Sequence, residues 1–338
     1  MSYNGETVPT KSISLLPGSV EIAPEIQAAF HLPPIYHRSD EFVARFEAVR
    51  AALAQVSSAR HVALFHGSGT LANDVVASCL DGPGIVLVNG EFGRRLALQA
   101  GRWRLPIRVV EWPWGTPWDI DEIEASLSDS RLDTAEWIWA VHLETSTGVL
   151  NDVDALGKLA RRRGIRLCLD CVSSLGAVPF DMRDVYLASG VSGKALGSYA
   201  GVAMVFASEI PLLKRPVPAY LDLAETLRAQ GPCFTFSSPL LLALEAALRI
   251  RRDYQPLGSL VRTRLRELGA SPIADERIAG PVVTTFEPPF RRFLEQCRGF
   301  GYEIGGESRY LQERGLVQIA TMGAVQPHHV NALFDSLS

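Results

Sequence analysis

Residues His61–Val88 read HVALFHGSGTLANDVVASCLDGPGIVLV. An apolar run, His61–Phe65, gives way at Gly67-Ser68-Gly69-Thr70 to the helical stretch Leu71–Leu80, and after Asp81-Gly82-Pro83-Gly84 a second apolar run occupies Ile85–Val88. A strand, a helix of about ten residues and another strand make a βαβ unit, which implies a parallel sheet. The alternation continues downstream through Arg94–Trp103, Ile107–Val110, Trp137–His142, Val153–Arg163, Ile165–Leu169, Tyr186–Ser189 and Val202–Phe206. Gly164 is placed to cap the middle helix. Upstream, Phe42, Phe46, Val49, Leu53 and Val56 fall on one helical face. Past Pro239 come two helical stretches, Leu240–Ile250 and Leu257–Leu268, and strand-like runs at Val282–Phe286 and Val317–Thr321. The expectation is an α/β chain with a mainly parallel sheet flanked by helices and a smaller C-terminal α+β domain. Its divisions are an N-terminal arm at 1–20, a large domain at 21–240 and a small domain at 241–338.

Composition narrows the function. The 338 residues are 47% hydrophobic and 21% charged, which suits a globular chain with a large core. A net charge of −4 leaves no basic field for nucleic acid or an anionic membrane. Arg161–Arg163 in a last helical turn answers the helix dipole instead. No apolar stretch is long enough to span a bilayer and no secretory signal opens the chain. Five cysteines, of which only Cys168 and Cys171 have CxxC spacing, point to a reduced, cytoplasmic setting with no metal site. The Trp112, Trp114 and Trp118 cluster reads as a packed loop.

Three motifs carry chemistry. Gly67-Ser68-Gly69-Thr70 joins a strand to a helix, where hydroxyls, backbone N–H groups and the helix dipole together favour a phosphate. It is neither GxGxxG nor GxxxxGK[ST], which disfavours dinucleotide and P-loop readings. Asp170 closes an apolar run, at the strand end where open α/β sheets bind ligands. Lys194, in Ser192-Gly193-Lys194-Ala195, sits among small residues where an amine loses its proton more easily and can form a Schiff base. A phosphate cradle, an acid for a ring nitrogen and a lysine for an aldehyde are the needs of pyridoxal 5'-phosphate.

At this point the chain resembles the class V aminotransferases of the fold type I pyridoxal-phosphate enzymes, from about Leu15 to Leu337. The likeness rests on Leu16-Pro17-Gly18, His66–Thr70, Asn89–Gly93, His142–Gly148, Asp170–Ser174, Ser192–Lys194 and Phe236–Pro239. The C-terminal Arg298-Gly299-Phe300 and Val317–Gly323 are most similar to 2-aminoethylphosphonate–pyruvate transaminases, then to serine–pyruvate and alanine–glyoxylate aminotransferases. The resemblance implies an amino group moved between a small amine or amino acid (2-aminoethylphosphonate, alanine or serine type) and an oxo acid. Lys194 would form the Schiff base and Asp170 would hold the ring nitrogen. Phe92 would stack on the ring, Thr145 would meet its phenolic oxygen, and Ser68, Gly69, Thr70 and Ser192 would hold the phosphate. Ser237 would join them from the partner subunit of a homodimer with shared active sites. Pro17, Gly18 and Gln318 would border the substrate. His142 reads as a buried strand residue, since Phe92 already fills the stacking role.

One position departs from the family. Where its members carry an arginine that forks onto the substrate carboxylate, this chain has Gln318, and a neutral amide lacks the charged pair. Arg309, Arg314 or Arg38 would have to replace it, or the substrate lacks a free α-carboxylate, or the chain runs another reaction, such as elimination, or binds the cofactor without catalysis.

Overall fold

The computed structural model of the protein describes residues 12–127, 135–179 and 181–337. Its strands are β1 (Ile13–Leu15), β2 (His61–Gly67), β3 (Gly84–Val88), β4 (Ile107–Glu111), β5 (Trp137–Val141), β6 (Leu143–Glu144), β7 (Val149–Leu150), β8 (Arg166–Asp170), β9 (Leu187–Val191), β10 (Gly201–Ala207), β11 (Val283–Phe286), β12 (Tyr302–Ile304) and β13 (Val317–Ala320). Seven of these form one sheet in the order β2-β10-β9-β8-β5-β3-β4. The pairs β3–β4, β3–β5, β5–β8 and β8–β9 are parallel, while β10 runs antiparallel to both β2 and β9. Inserting β10 the other way leaves β2 pointing the same way as β8 and β9. Gly67, Asp170 and Val191 therefore end their strands on one edge of the sheet.

The near-continuous apolar strands β3, β5 and β9 are buried along their whole length, as a sheet covered on both faces requires. One face packs on Phe42, Phe46, Val49 and Leu53 of the helix Asp40–Ser57 and on Leu156 and Leu159 of Val153–Arg163. The other packs on Val75 and Val76 of Gly69–Ser78 and Leu96 of Glu91–Arg102. Local chemistry fixes the helix ends. Ser39 accepts from the Phe42 N–H and Asp152 from the Ala155 N–H, and Gly164 closes its helix at φ 66°, as its position foretold. Arg161 pairs with Asp184, and Arg162 and Arg163 with Glu124, so that basic run is a paired surface. Trp112 and Trp118 are buried, the former donating to Glu122 at 2.7 Å.

The C-terminal part pairs β11 with β13 antiparallel and collects Val261, Leu265, Phe286, Phe293, Ile319, Leu333 and Phe334 in its own core. The N-terminal segment joins it, because β1 pairs in parallel with β12 and Leu15 is buried in the same core. The residues linking β1 to the first helix, Pro24–Phe30, with Pro17 and Gly18 among them, are thereby drawn between this core and the edge of the main sheet. The helix Ser238–Leu248 spans residue 240 and sends Leu241 and Leu244 into the core beneath the main sheet. Among the described residues no helix is long and apolar enough to cross a membrane.

Trp137 is fully buried in β5, with its indole N–H donating to the Asp81 carbonyl at 3.1 Å. Trp137→Ala should lower the unfolding free energy by about 3–5 kcal/mol, read as a fall in urea midpoint. An unchanged midpoint would contradict the packing described.

Candidate active site

The site forms where the loops leave the carboxyl edge of the sheet. After β2, Ser68 adopts an extended backbone and its carbonyl accepts the Leu71 and Ala72 N–H groups, which starts the helix Gly69–Ser78. Its hydroxyl makes no capping bond to that helix. Gly69 is required by space: a Cβ there would lie 2.6 Å from Val172 Cγ2. The turn thus rests against the segment that follows β8, and the helix N-terminus opens beside Asp170.

Asp170 is buried at the end of β8. Its two oxygens each take one donor, Asn73 Nδ2 at 2.8 Å and the Val172 N–H at 2.9 Å. Burial raises its carboxyl above the ordinary range, against those two hydrogen bonds and the charge of Lys194. Lys194 follows β9 by three residues, and its Nζ donates to the Pro17 carbonyl. Burial lowers the amine to about 8, with the Asp170 charge opposing that shift and the Arg95 charge adding to it. The loop carrying Lys194 is tied down by Tyr254, whose hydroxyl donates to the Ala195 carbonyl at 2.7 Å and accepts the Gly323 N–H at 3.1 Å.

Phe92 stands in the first turn of Glu91–Arg102, whose N-terminus is held by a buried carboxylate. Glu144 accepts the Phe92 and Gly93 N–H groups at 3.3 and 3.0 Å and the Ser146 hydroxyl, while Ser146 Oγ accepts the Glu91 N–H at 2.9 Å. Arg95, one turn on, lies 5.1 Å over the Phe92 ring and bonds Glu91 at 2.9 Å.

Together these residues line a cavity of about 480 Å³: Ser68, Gly69, Thr70, Asn73, Phe92, Arg95, Asp170 and Lys194, with Leu98, Gln99 and Arg102 toward one side. A second cavity, of about 230 Å³, takes in Pro17, Gly18, Tyr310 and Gln318. The two meet around Lys194, since Pro17 borders the second and accepts its amine, and Tyr310 packs edge-on against Phe92 at 6.2 Å.

Not every residue singled out by sequence arrives there. Ser192 spends its hydroxyl on the Tyr199 carbonyl at 2.6 Å and the Val202 N–H at 3.2 Å, closing the Lys194 loop. Thr145 is buried beside Gln318, which donates to its carbonyl. Ser237 caps the helix Ser238–Leu248 and its N–H donates to His66 Nε2 at 2.9 Å, away from its own chain's cavity lining. His142 is buried just beyond β5, its N–H donating to the Asp170 carbonyl, and burial holds its imidazole neutral by lowering it to about 4. Arg309 is exposed and bonds Glu313 at 2.6 Å, Arg314 lies 3.8 Å over Trp114, and Arg38 is exposed; none of the three lines either cavity. Sequence reading missed Asn73, Glu144, Tyr254 and Tyr310. None of the four left a clear trace in the sequence; Asn73 stands beside Asp74 in the helix GTLANDVVAS, and no spacing rule singles it out.

This sheet order, with a half-buried lysine and a buried aspartate at its carboxyl edge, defines a class. The class-V aminotransferase family model matches residues 25–216, more than half of the chain, and the chain belongs to that family. It is similar to a 2-aminoethylphosphonate–pyruvate transaminase of Bacillus cereus, 27% identical over 88% of this chain and 89% of that protein. Among solved structures it is similar to the alanine–glyoxylate aminotransferase of Nostoc sp., with TM-score 0.87 and 26% identity over 100% and 98% of the two chains. It is also similar to an aspartate aminotransferase of Thermus thermophilus, with TM-score 0.85 and 25% identity over 96% and 97%.

An amine lowered to about 8 is half neutral there and neutral above. The rate at which an amine-directed reagent labels Lys194 should rise with pH and level off above about 8, instead of climbing to the ordinary lysine value of roughly 10.4. Removing the negative charge with Asp170→Asn should move the midpoint lower. A midpoint at the ordinary lysine value would contradict the burial.

Proposed function

We propose that this class V aminotransferase uses pyridoxal 5'-phosphate to move an amino group between a small amine or amino acid and an oxo acid. The observation that carries the reading is Lys194, a half-buried lysine whose amine has lowered basicity, facing the buried Asp170 in a cavity closed at one end by a helix N-terminus. The residues suit the group. Ser68, Gly69 and Thr70 bring hydroxyls and free-end helix N–H groups to a dianionic phosphate. Phe92 supplies a flat face for a ring. Asp170 has each oxygen taken by one protein donor, which leaves lone pairs for a protonated ring nitrogen. When bound, pyridoxal phosphate supplies an aldehyde for covalent attachment and a ring that accepts electrons from the substrate carbon.

The chain's own work is proton handling and orientation. Lys194 Nζ, neutral in a large fraction near pH 8, would take a proton from the substrate carbon and give it up on the cofactor side of the transferred nitrogen. The Asp170 carboxylate keeps the ring nitrogen protonated. Asn73 holds that carboxylate in place, and Glu144 fixes Phe92 by gripping the start of its helix. Ser192 serves by shaping the Lys194 loop, and Thr145 would meet the phenolic oxygen of the bound ring.

A homodimer completes the reading. Leu98, on the cavity wall, is 61% exposed, an apolar side chain that a second copy would cover. Ser237 would then reach the partner's phosphate cradle. Light scattering should give twice the chain mass, and Leu98→Asp should shift it toward one.

Purified protein supplied with pyridoxal phosphate should turn yellow, and Lys194→Ala should lose that colour while keeping its circular dichroism. An alanine variant that binds and colours as the parent does would overturn the assignment.

A further inference from the structure

We infer that Gln318 is a positioning residue: its amide holds the turn that carries Thr145 and, through that turn, sets Thr145 and Phe92 against the cofactor ring. The inference rests on the aminotransferase reading above, in which those two residues meet pyridoxal phosphate.

The amide is fixed by its partners. Gln318 is fully buried on β13. Its Nε2 donates to the Thr145 carbonyl and to Thr285 Oγ1 at 2.9 Å, and its Oε1 accepts from the Tyr310 hydroxyl at 3.2 Å. A carbonyl can only accept, so the atom that faces Thr145 must be the nitrogen, and the amide has one orientation. An oxo acid is still accommodated, because the lysine's own cavity keeps two guanidiniums, Arg95 and Arg102, on its lining.

The Thr145 turn, between β6 and β7, holds more than itself. The residues on either side of Thr145 grip the start of the helix Glu91–Arg102. Glu144 accepts the Phe92 and Gly93 N–H groups at 3.3 and 3.0 Å, and Ser146 Oγ accepts the Glu91 N–H at 2.9 Å. Phe92 then packs edge-on against Tyr310 at 6.2 Å, and Tyr310 is the residue whose hydroxyl holds Gln318 Oε1. The contacts close a circuit from Gln318 through Thr145, its two neighbours, Phe92 and Tyr310 back to Gln318. Gln318 and Tyr310 belong to the C-terminal part, while Thr145 and Phe92 stand beside the main sheet, so the amide is a side-chain tie between the two. A buried carbonyl that loses its donor is costly. Without the amide the turn must shift to find another donor, and it carries Thr145 and the start of the Phe92 helix with it.

Signals from the bound cofactor, read with no amino donor present, would be unmoved by a residue that acts only on the substrate. In Gln318→Met, an unbranched side chain of similar length with no donor, the dissociation constant for pyridoxal phosphate should rise about fivefold, the ratio for one net hydrogen bond lost, and the circular dichroism of the visible band should fall. Affinity and dichroism equal to the parent's overturn the inference. Trp137→Ala, at the end of β5 away from the site, loses stability without touching the circuit and should keep both signals. If it shifts them as far as Gln318→Met does, loss of packing alone explains the effect and the inference is overturned. If Gln318→Met does not fold, Tyr310→Phe decides. It keeps the ring against Phe92 and removes only the hydroxyl on Oε1, so cofactor binding should weaken about twofold, and no change overturns the inference. A coloured parent with unchanged variants removes this inference alone; a parent that takes no colour removes the aminotransferase reading with it.

Discussion

The Lys194 amine opposes the Asp170 carboxylate in a place where burial penalises both charges. An isolated charge there is costly, so each group is held by something else: Asp170 by Asn73 and the Val172 N–H, Lys194 by the Pro17 carbonyl. Those partners come from three separate regions of the chain. The helix after β2 supplies Asn73, the turn after β8 supplies Val172, and the segment after β1 supplies Pro17. Each must be in register before the pair can be buried, and the fold can be understood as the arrangement that brings them there.

Sheet order does most of that positioning. Because β10 is inserted antiparallel between β2 and β9, the three strand ends that carry Ser68, Asp170 and Lys194 face one edge. The small β1–β12 pairing then anchors the N-terminal segment so that Pro17 and Gly18 close over the lysine. A Cβ at Gly18 would stand 3.5 Å from Nζ, which shows how near the backbone runs.

Much of this was legible in the sequence. The helix Val153–Arg163 has the limits its periodicity and Gly164 foretell, and most strands begin or end within one or two residues of their apolar runs. Asp170, Lys194 and the Ser68–Thr70 turn were readable because strand ends announce themselves by a change from apolar to polar residues. The supporting groups were not. Asn73, Glu144 and Tyr254 act on partners 97, 51 and 59 residues away, and no local period encodes such pairings. Nor could the sequence say that Gln318 spends both its donors inside the protein, since Thr285 meets it only when β11 pairs with β13 and Thr145 reaches it from the turn after β6. The antiparallel direction of β10 was equally hidden, because strand periodicity carries no sense of direction.

On the function proposed, one lysine of this chain, Lys194, would carry the cofactor. The sequence holds four, Lys11, Lys158, Lys194 and Lys214. Protein loaded with pyridoxal phosphate, reduced with borohydride, digested and mapped by mass spectrometry should carry the added mass on the peptide containing Lys194 and on no other. Modification spread over Lys11, Lys158 and Lys214, or confined to one of them, would contradict the account.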